Sequence, residues 1–526
     1  MNAKSNLAAN DSGGKADLFA PIDIKNVINS THTRELVIAL CGPIGSPMHP
    51  VAEELRKKLT QPFGYESCDV IKLSKFIEDH QAKLDSTYLP DEKKSKEANR
   101  LNRLIDHGNA MRKEFGAGVL AELAVNHIRL DRERKGKKTV NEGDKSVYVS
   151  RRVCHIIDSI KNQEELDLLR TVYREVLFVV GVFAPVSARE QNLKNKEMSP
   201  AEISALMDRD SGEESEEGQT VSRTFPQCDF FLRMETENKS QLSARVERFL
   251  HLILGTKIIT PTKAETAMYS AASAAGNSAC LSRQVGAAVT DLDGEVLATG
   301  WNDVPKPFGG LYFTDTDADP LGEKDRRCWN IGKCHNDDEK GLFAKELISI
   351  LEDYIPKDKQ VAAMGAVMAQ KRLKGLIEFS RSIHAEMHAI LTALKSAGGR
   401  VSGGKLFVTT YPCHSCARHI VASGIKEVYY IEPYKKSLAV KLHSDAVSES
   451  ESEVGKVRIL PFDGVAPTKY LTLFKMAPDS RKLNGKVIEI VANEGFPRME
   501  KSLAALPELE GMVVRSLESK NLINLN

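Results

Sequence analysis

No stretch of about 18 consecutive apolar residues occurs in the 526-residue sequence, so nothing in it reads as a membrane-spanning helix. The first 30 residues lack the basic start, apolar centre and small-residue cleavage site of a secretory signal. They are rich in Asn, Ser, Gly, Lys and Asp instead, and read as a mobile tail. Net charge is almost absent: 73 Lys and Arg against 72 Asp and Glu leave +1, so the chain as a whole carries no electrostatic footprint for nucleic acid. Cysteines number nine. Without an export signal they belong in a reducing cytoplasm, where their clustering argues for metal ligation rather than disulfides.

At this length one core does not serve the chain, and two large domains with inserts are expected. Residues 34–41 read as a buried strand, followed by Gly42-Pro43-Ile44-Gly45-Ser46-Pro47 and a helix from His49 to Leu59. Strand, glycine turn, helix is how a phosphate-binding P-loop opens, but such a loop ends in Gly-Lys-Ser/Thr. Here Pro47, Met48 and His49 stand at those positions, which argues against ordinary kinase chemistry. Gly42, Gly45 and Ser46 still offer backbone N–H groups to a regulatory nucleotide.

Strands over Val153–Ile157 and Val176–Phe183, with a helix over Glu164–Tyr173 between them, predict a parallel sheet with helices on both faces. Asp158 ends the first of these strands. It reads either as a metal-binding acid of a phosphate enzyme or as the cap of the next helix. The run Glu213-Glu214-Ser215-Glu216-Glu217 reads as a solvated acidic loop or lid. The predicted organisation is a tail over 1–30, a P-loop kinase-like regulatory domain over 31–255, a second domain over 260–475, and a C-terminal extension over 476–526.

The second domain begins with an alanine-rich helix from Thr262, then a hairpin, Val285–Asp291 with Val296–Gly300, around the turn Asp293-Gly294. Further strands are expected at Lys405–Thr410, Glu427–Ile431 and Val457–Leu460, giving a three-layer α/β/α sandwich. Two motifs fall on its helix starts. Cys413 and Cys416, in Pro412-Cys413-His414-Ser415-Cys416, are spaced i, i+3 so that one helical turn presents both sulfurs, and His384-Ala385-Glu386 opens another helix. One imidazole and two thiolates form a soft three-ligand site suited to Zn²⁺, with its fourth position free for water and Glu386 nearby to move protons. A structural zinc ribbon would instead want a second cysteine pair at ribbon spacing.

The His-x-Glu and Pro-Cys-x-x-Cys pattern resembles that of zinc-dependent nucleobase deaminases, in which the glutamate stays outside the metal shell. With Arg283-Gln284-Val285-Gly286-Ala287 and Thr299-Gly300-Trp301-Asn302, residues 262–471 resemble the deoxycytidylate deaminases. The resemblance implies that His384, Cys413 and Cys416 hold the zinc, that Glu386 is the proton shuttle, and that Asn302 holds the deoxyribose. Many relatives have asparagine two residues after the glutamate. Here His388 stands there, as a substrate-facing group or a packed helix residue, and Tyr434 is either a wall for the base or core.

Cys280, Cys328, Cys334 and His335 have two readings, a second, structural zinc site or free thiols. The whole architecture resembles bacterial two-domain anti-phage deoxycytidylate deaminases. That implies deamination of dCMP and dCTP, draining the dC pool in the cytoplasm, with a regulatory dNTP, an inhibitory small RNA and a homo-oligomer, a hexamer being one candidate, as partners. The competing functions are a single-stranded DNA or RNA cytosine or adenosine deaminase, for which Arg132-Glu133-Arg134-Lys135-Gly136-Lys137-Lys138 is the main basic run, and a non-catalytic nucleotide sensor.

Overall fold

The computed structural model describes residues 32–523 except 86–87, 141–145, 211–219, 235–240, 371–372, 374, 434–436, 477–480, 499–502 and 504. The N-terminal tail, the acidic run Glu213–Glu217, Tyr434 and the pair Lys435-Lys436 lie outside the described residues. Among the described residues no helix is long and apolar enough to cross a membrane.

Twelve strands build two mixed α/β sheets. In chain order they are β1 (Leu36–Cys41), β2 (Ser67–Lys72), β3 (Val153–Ile160), β4 (Leu177–Phe183), β5 (Phe230–Arg233), β6 (Gly286–Thr290), β7 (Val296–Trp301), β8 (Lys405–Thr410), β9 (Glu427–Glu432), β10 (Val447–Ser448), β11 (Val457–Pro461) and β12 (Gly464–Val465). The first sheet runs β12-β5-β4-β1-β3-β2 and the second β10-β11-β9-β8-β6-β7. Strands β1 to β5 are mutually parallel, and among the described residues only β12 joins them antiparallel.

Every residue of β1 is buried, as a central parallel strand covered on both faces requires. Val37, Ala39 and Cys41 point into one hydrophobic cluster while Leu36, Ile38 and Leu40 point into another. The strand period of two thus builds a core on each side of the sheet. Helix Gln163–Tyr173 starts with a capping box in which Asn162, not Asp158, is the cap. Its partner in the box, fully buried Glu165, also receives Arg112 at 2.8 Å.

In the second sheet β6 and β7 form the antiparallel hairpin, and β8, β9 and β11 run parallel. Gly286 pairs with Trp301 and Ala287 with Gly300, so the two glycines face opposite sides of the sheet. A Cβ on Gly286 would lie 1.9 Å from the Ala271 carbonyl oxygen, and one on Gly300 would lie 2.3 Å from the Ala389 nitrogen. Helices Lys263–Ala275 and Ala385–Ala397 therefore press on opposite faces, which makes the expected three layers.

The two sheets share material. One hydrophobic cluster runs from Val37 and Phe231 to Ala271, Ala288 and Phe407. Strand β12 leaves the second sheet and pairs with β5, and helix Leu506–Ser519 returns to pack on helix Val119–Lys135. There Arg132 is buried between Glu35 and Glu510, so the basic run is partly spent on structure.

Glu265 ties the junction. Its carboxylate accepts the Thr262 N–H at 2.7 Å, the Val465 N–H at 2.9 Å and both Arg248 terminal nitrogens at 2.9 and 2.7 Å. Gly464 beside it has φ +125° and no room for a Cβ, which would meet the same carboxylate at 2.7 Å. Removing Glu265 leaves a buried N–H and an arginine without their acceptor. Glu265→Ala should lower stability by about 3 kcal/mol, read as a shifted urea midpoint, and Glu265→Gln by less.

Candidate active site

Strand β8 ends at Thr410, and Tyr411-Pro412 lead into helix His414–Ala422, whose N-cap is Cys413. The Cys413 sulfur accepts the Cys416 N–H at 3.4 Å. His384 is likewise the N-cap of helix Ala385–Ala397. Both motif residues sit one position outside their helices, where the free N–H groups and positive helix ends favour anionic ligands.

His384 Nδ1 lies 3.4 Å from the Cys413 sulfur and 3.3 Å from that of Cys416. Among the described residues this is the one group of three or more candidate ligands whose donor atoms all lie within 4.8 Å of one another. Hydrogen bonds from Cys416 and then His384 hold the Cys413 thiol down to about 4, while the bond to Cys413 raises His384 to about 9. The bond to Cys413, together with burial, pushes Cys416 up. One sulfur is thus already disposed to be a thiolate beside an imidazole. That donor set fits Zn²⁺, which would take the place of the shared protons.

Glu386, 4% exposed, follows on the first turn, and burial raises its carboxyl above the usual range against the pull of His384. It lines a cavity of about 320 Å³ with His384, Cys413, Asn302 and Tyr411. Asn302 uses both ends of its amide on backbone: Oδ1 accepts the Val285 N–H at 2.7 Å and Nδ2 donates to the Arg283 carbonyl at 3.0 Å. It shapes the cavity's wall by holding that turn.

His388 does not line the cavity. Its Nδ1 accepts the Trp301 N–H at 3.2 Å, and its ring meets the Trp301 ring edge-on at 4.8 Å. Cys280 lines the cavity, and Cys280 and Cys334 lie near enough to bear on the Cys328 thiol, which burial pushes up. These three with His335 are not drawn together as closely as the His384 group.

Several wall residues carry no local motif. Asn336, Asp337 and Lys340 come from helix His335–Ile350 of the long insert, and Lys340 is 7% exposed with Asp337 at 3.9 Å. Tyr411 donates to Glu449 at 2.8 Å and packs edge-on against Tyr430. Glu449 belongs to the Ser-Glu run over residues 448–453, which is therefore part of the support, and Glu451 of the same run also binds Arg233 of β5 at 3.0 Å.

Residues 261–432 match the cytidine and deoxycytidylate deaminase zinc-binding region. The deoxycytidylate deaminase of Enterobacteria phage T4 is 30% identical over 178 residues, which make up 33% of this chain and 80% of the phage protein. The chain belongs to the cytidine and deoxycytidylate deaminase family. ComE operon protein 2 of Bacillus subtilis is 50% identical over 56 residues, 11% of this chain and 29% of that protein. The solved dCMP deaminase of cyanophage S-TIM5, in complex with dCMP and dUMP, is 21% identical and spans 39% of this chain and 99% of its own, with a TM-score of 0.23.

In this deaminase the helix that carries Glu386 lies directly on Gly300, whose extra Cβ would meet the Ala389 nitrogen and the Ala385 carbonyl, both backbone. Gly300→Ala should cost about 1–3 kcal/mol of stability and reduce turnover, measured by thermal unfolding and by initial rates.

Proposed function

We propose that the chain hydrolyses the exocyclic amine of free deoxycytidine nucleotides, dCMP and dCTP, giving the deoxyuridine nucleotide and ammonia. The observation that carries this reading is a buried carboxylate, Glu386, lining one cavity with His384 and Cys413, which form a close donor set with Cys416. Those three residues would hold one zinc ion, which when bound supplies Lewis acidity and a water of lowered pKa. Glu386 takes a proton from the attacking water and delivers it to the ring nitrogen of the base. The second proton reaches the leaving amine by the same carboxylate, so water and cytosine become uracil and ammonia. Its raised affinity for protons suits a group that must hold one between the two transfers.

Arg283 and Lys340 at the cavity wall support a phosphorylated substrate over a nucleoside. Deamination of both nucleotides would drain the dC pool that a replicating phage needs. In this reading the first sheet with Gly42, Gly45 and Ser46 is a regulatory nucleotide domain, a small RNA restrains activity, and the protein works in the cytoplasm as a homo-oligomer. The Cys280, Cys328, Cys334 and His335 group is its second, structural zinc site.

Purified protein given dCMP or dCTP should release ammonia and form the uracil nucleotide. Glu386→Gln should keep its zinc, read by metal analysis, and lose about 10²–10⁴-fold in turnover; undiminished activity rejects the mechanism. Lys340→Ala should raise KM for dCMP by about tenfold or more while leaving kcat/KM for deoxycytidine nearly unchanged, since the lost charge-assisted contact is to phosphate.

A further inference from the structure

The glycine turn after β1 has an occupant. Its Ile44 N–H donates to Asp210 Oδ2 at 2.6 Å. The other Asp210 oxygen accepts from Lys161 Nζ at 2.8 Å, and the same Nζ donates to the Gly42 carbonyl at 2.8 Å. Asp210 is 2% exposed. A carboxylate thus sits on a loop amide beside a lysine, the pair of groups with which such a loop receives a phosphate. Lys161 arrives from the end of β3 and supplies the charge that Met48 does not. The Ser46 hydroxyl of the same turn is buried and has no partner among the described residues.

Asp210 stands in the last described turn of helix Pro200–Asp210, with Lys161 and Arg189 as its cationic neighbours. The helix is anchored through Ile203 and Leu206 in a small cluster with Ala98, Ile105, Leu193 and Met198, apart from the clusters on either face of the sheet. Beside it, at the C-terminal ends of β1, β2 and β3, lies a cavity of about 740 Å³ bordered by His49, Lys72, Arg100, Asp158, Lys161 and Lys196. That volume is in the range of nucleotide sites, and the crevice at these strand ends is where parallel sheets bind ligands.

We infer that Asp210 is a built-in substitute for a phosphate, and that a nucleoside polyphosphate enters this cavity by displacing it from Ile44 and Lys161, freeing helix Pro200–Asp210. The inference rests on the regulatory-nucleotide reading of the first sheet and names how that site is gated. Asp210 also borders a second cavity, of about 390 Å³, with Arg189 and with Pro433 at the end of β9. The release is thereby felt at the sheet that carries the zinc motif.

The test is calorimetric titration of the full-length protein with inorganic tripolyphosphate and with UTP, neither of which has an amine to lose. Asp210→Asn and Asp210→Ala should bind both probes at least about tenfold more tightly than the natural protein. Wild-type binding with no gain in either variant overturns the displacement and leaves the nucleotide site standing. No binding by any of the three removes both. Should the variants fail to fold, hydrogen exchange on the natural protein decides. Saturating tripolyphosphate should speed exchange across residues 200–210 by about tenfold or more, and unchanged or slowed exchange overturns the proposal.

Discussion

The fold turns on one buried carboxylate. Glu265 accepts hydrogen bonds from Thr262, Arg248 and Val465, and so fixes the start of helix Lys263–Ala275, the middle of the preceding helix Leu242–Leu254 and strand β12 at one point. That helix packs on β6 through Gly286; β6 pairs with β7; and Gly300 of β7 receives helix Ala385–Ala397, capped by His384. A chain of close backbone contacts thus leads from a junction carboxylate to a ligand of the candidate metal site. Each step needs a residue with no side chain or a fully satisfied polar group, which leaves little slack in where His384 stands.

The two halves use one device for opposite ends. In each, a strand runs into a turn and then into a helix whose first N–H groups have no partner within the helix. At Cys413 this serves anionic sulfur, and the site is held ready by the imidazole against it. At Ile44 the same kind of turn is already occupied by a carboxylate of the protein itself. Two strand-to-helix turns of similar design therefore stand in different states, one prepared and one plugged.

What could be read from sequence was local. The hairpin, the strands and the two short motifs, His384-Ala385-Glu386 and Cys413-His414-Ser415-Cys416, each follow from spacings of a few residues, where periodicity and turn chemistry act directly. The residues that escaped notice meet across long separations. Asp210 and Ile44 are 166 positions apart, and Tyr411 and Glu449 are 38 apart. Lys340 sits in an insert helix whose pattern shows nothing of the cavity it faces. His388, two residues from Glu386, reads from sequence as a substrate-facing group or a packed helix residue, and its ring is taken up by Trp301. Asp158 similarly gives way to Asn162 as the helix cap, because the strand runs on to Ile160.

Strand β12 has a consequence for how the chain is made. The exposed edge of the first sheet at β5 is closed only by residues from the far side of the second, and Arg233 waits for Asp463, 230 positions later. Helix Val119–Lys135 waits longer still, for Glu510 to meet Arg132. During synthesis the first half therefore leaves the ribosome with an unpaired edge and a bare helix face, both prone to association with other chains. Residues 464–465 complete the first sheet. A newborn chain thus reaches its final form in the first half only after Glu510, far into the chain, has been made.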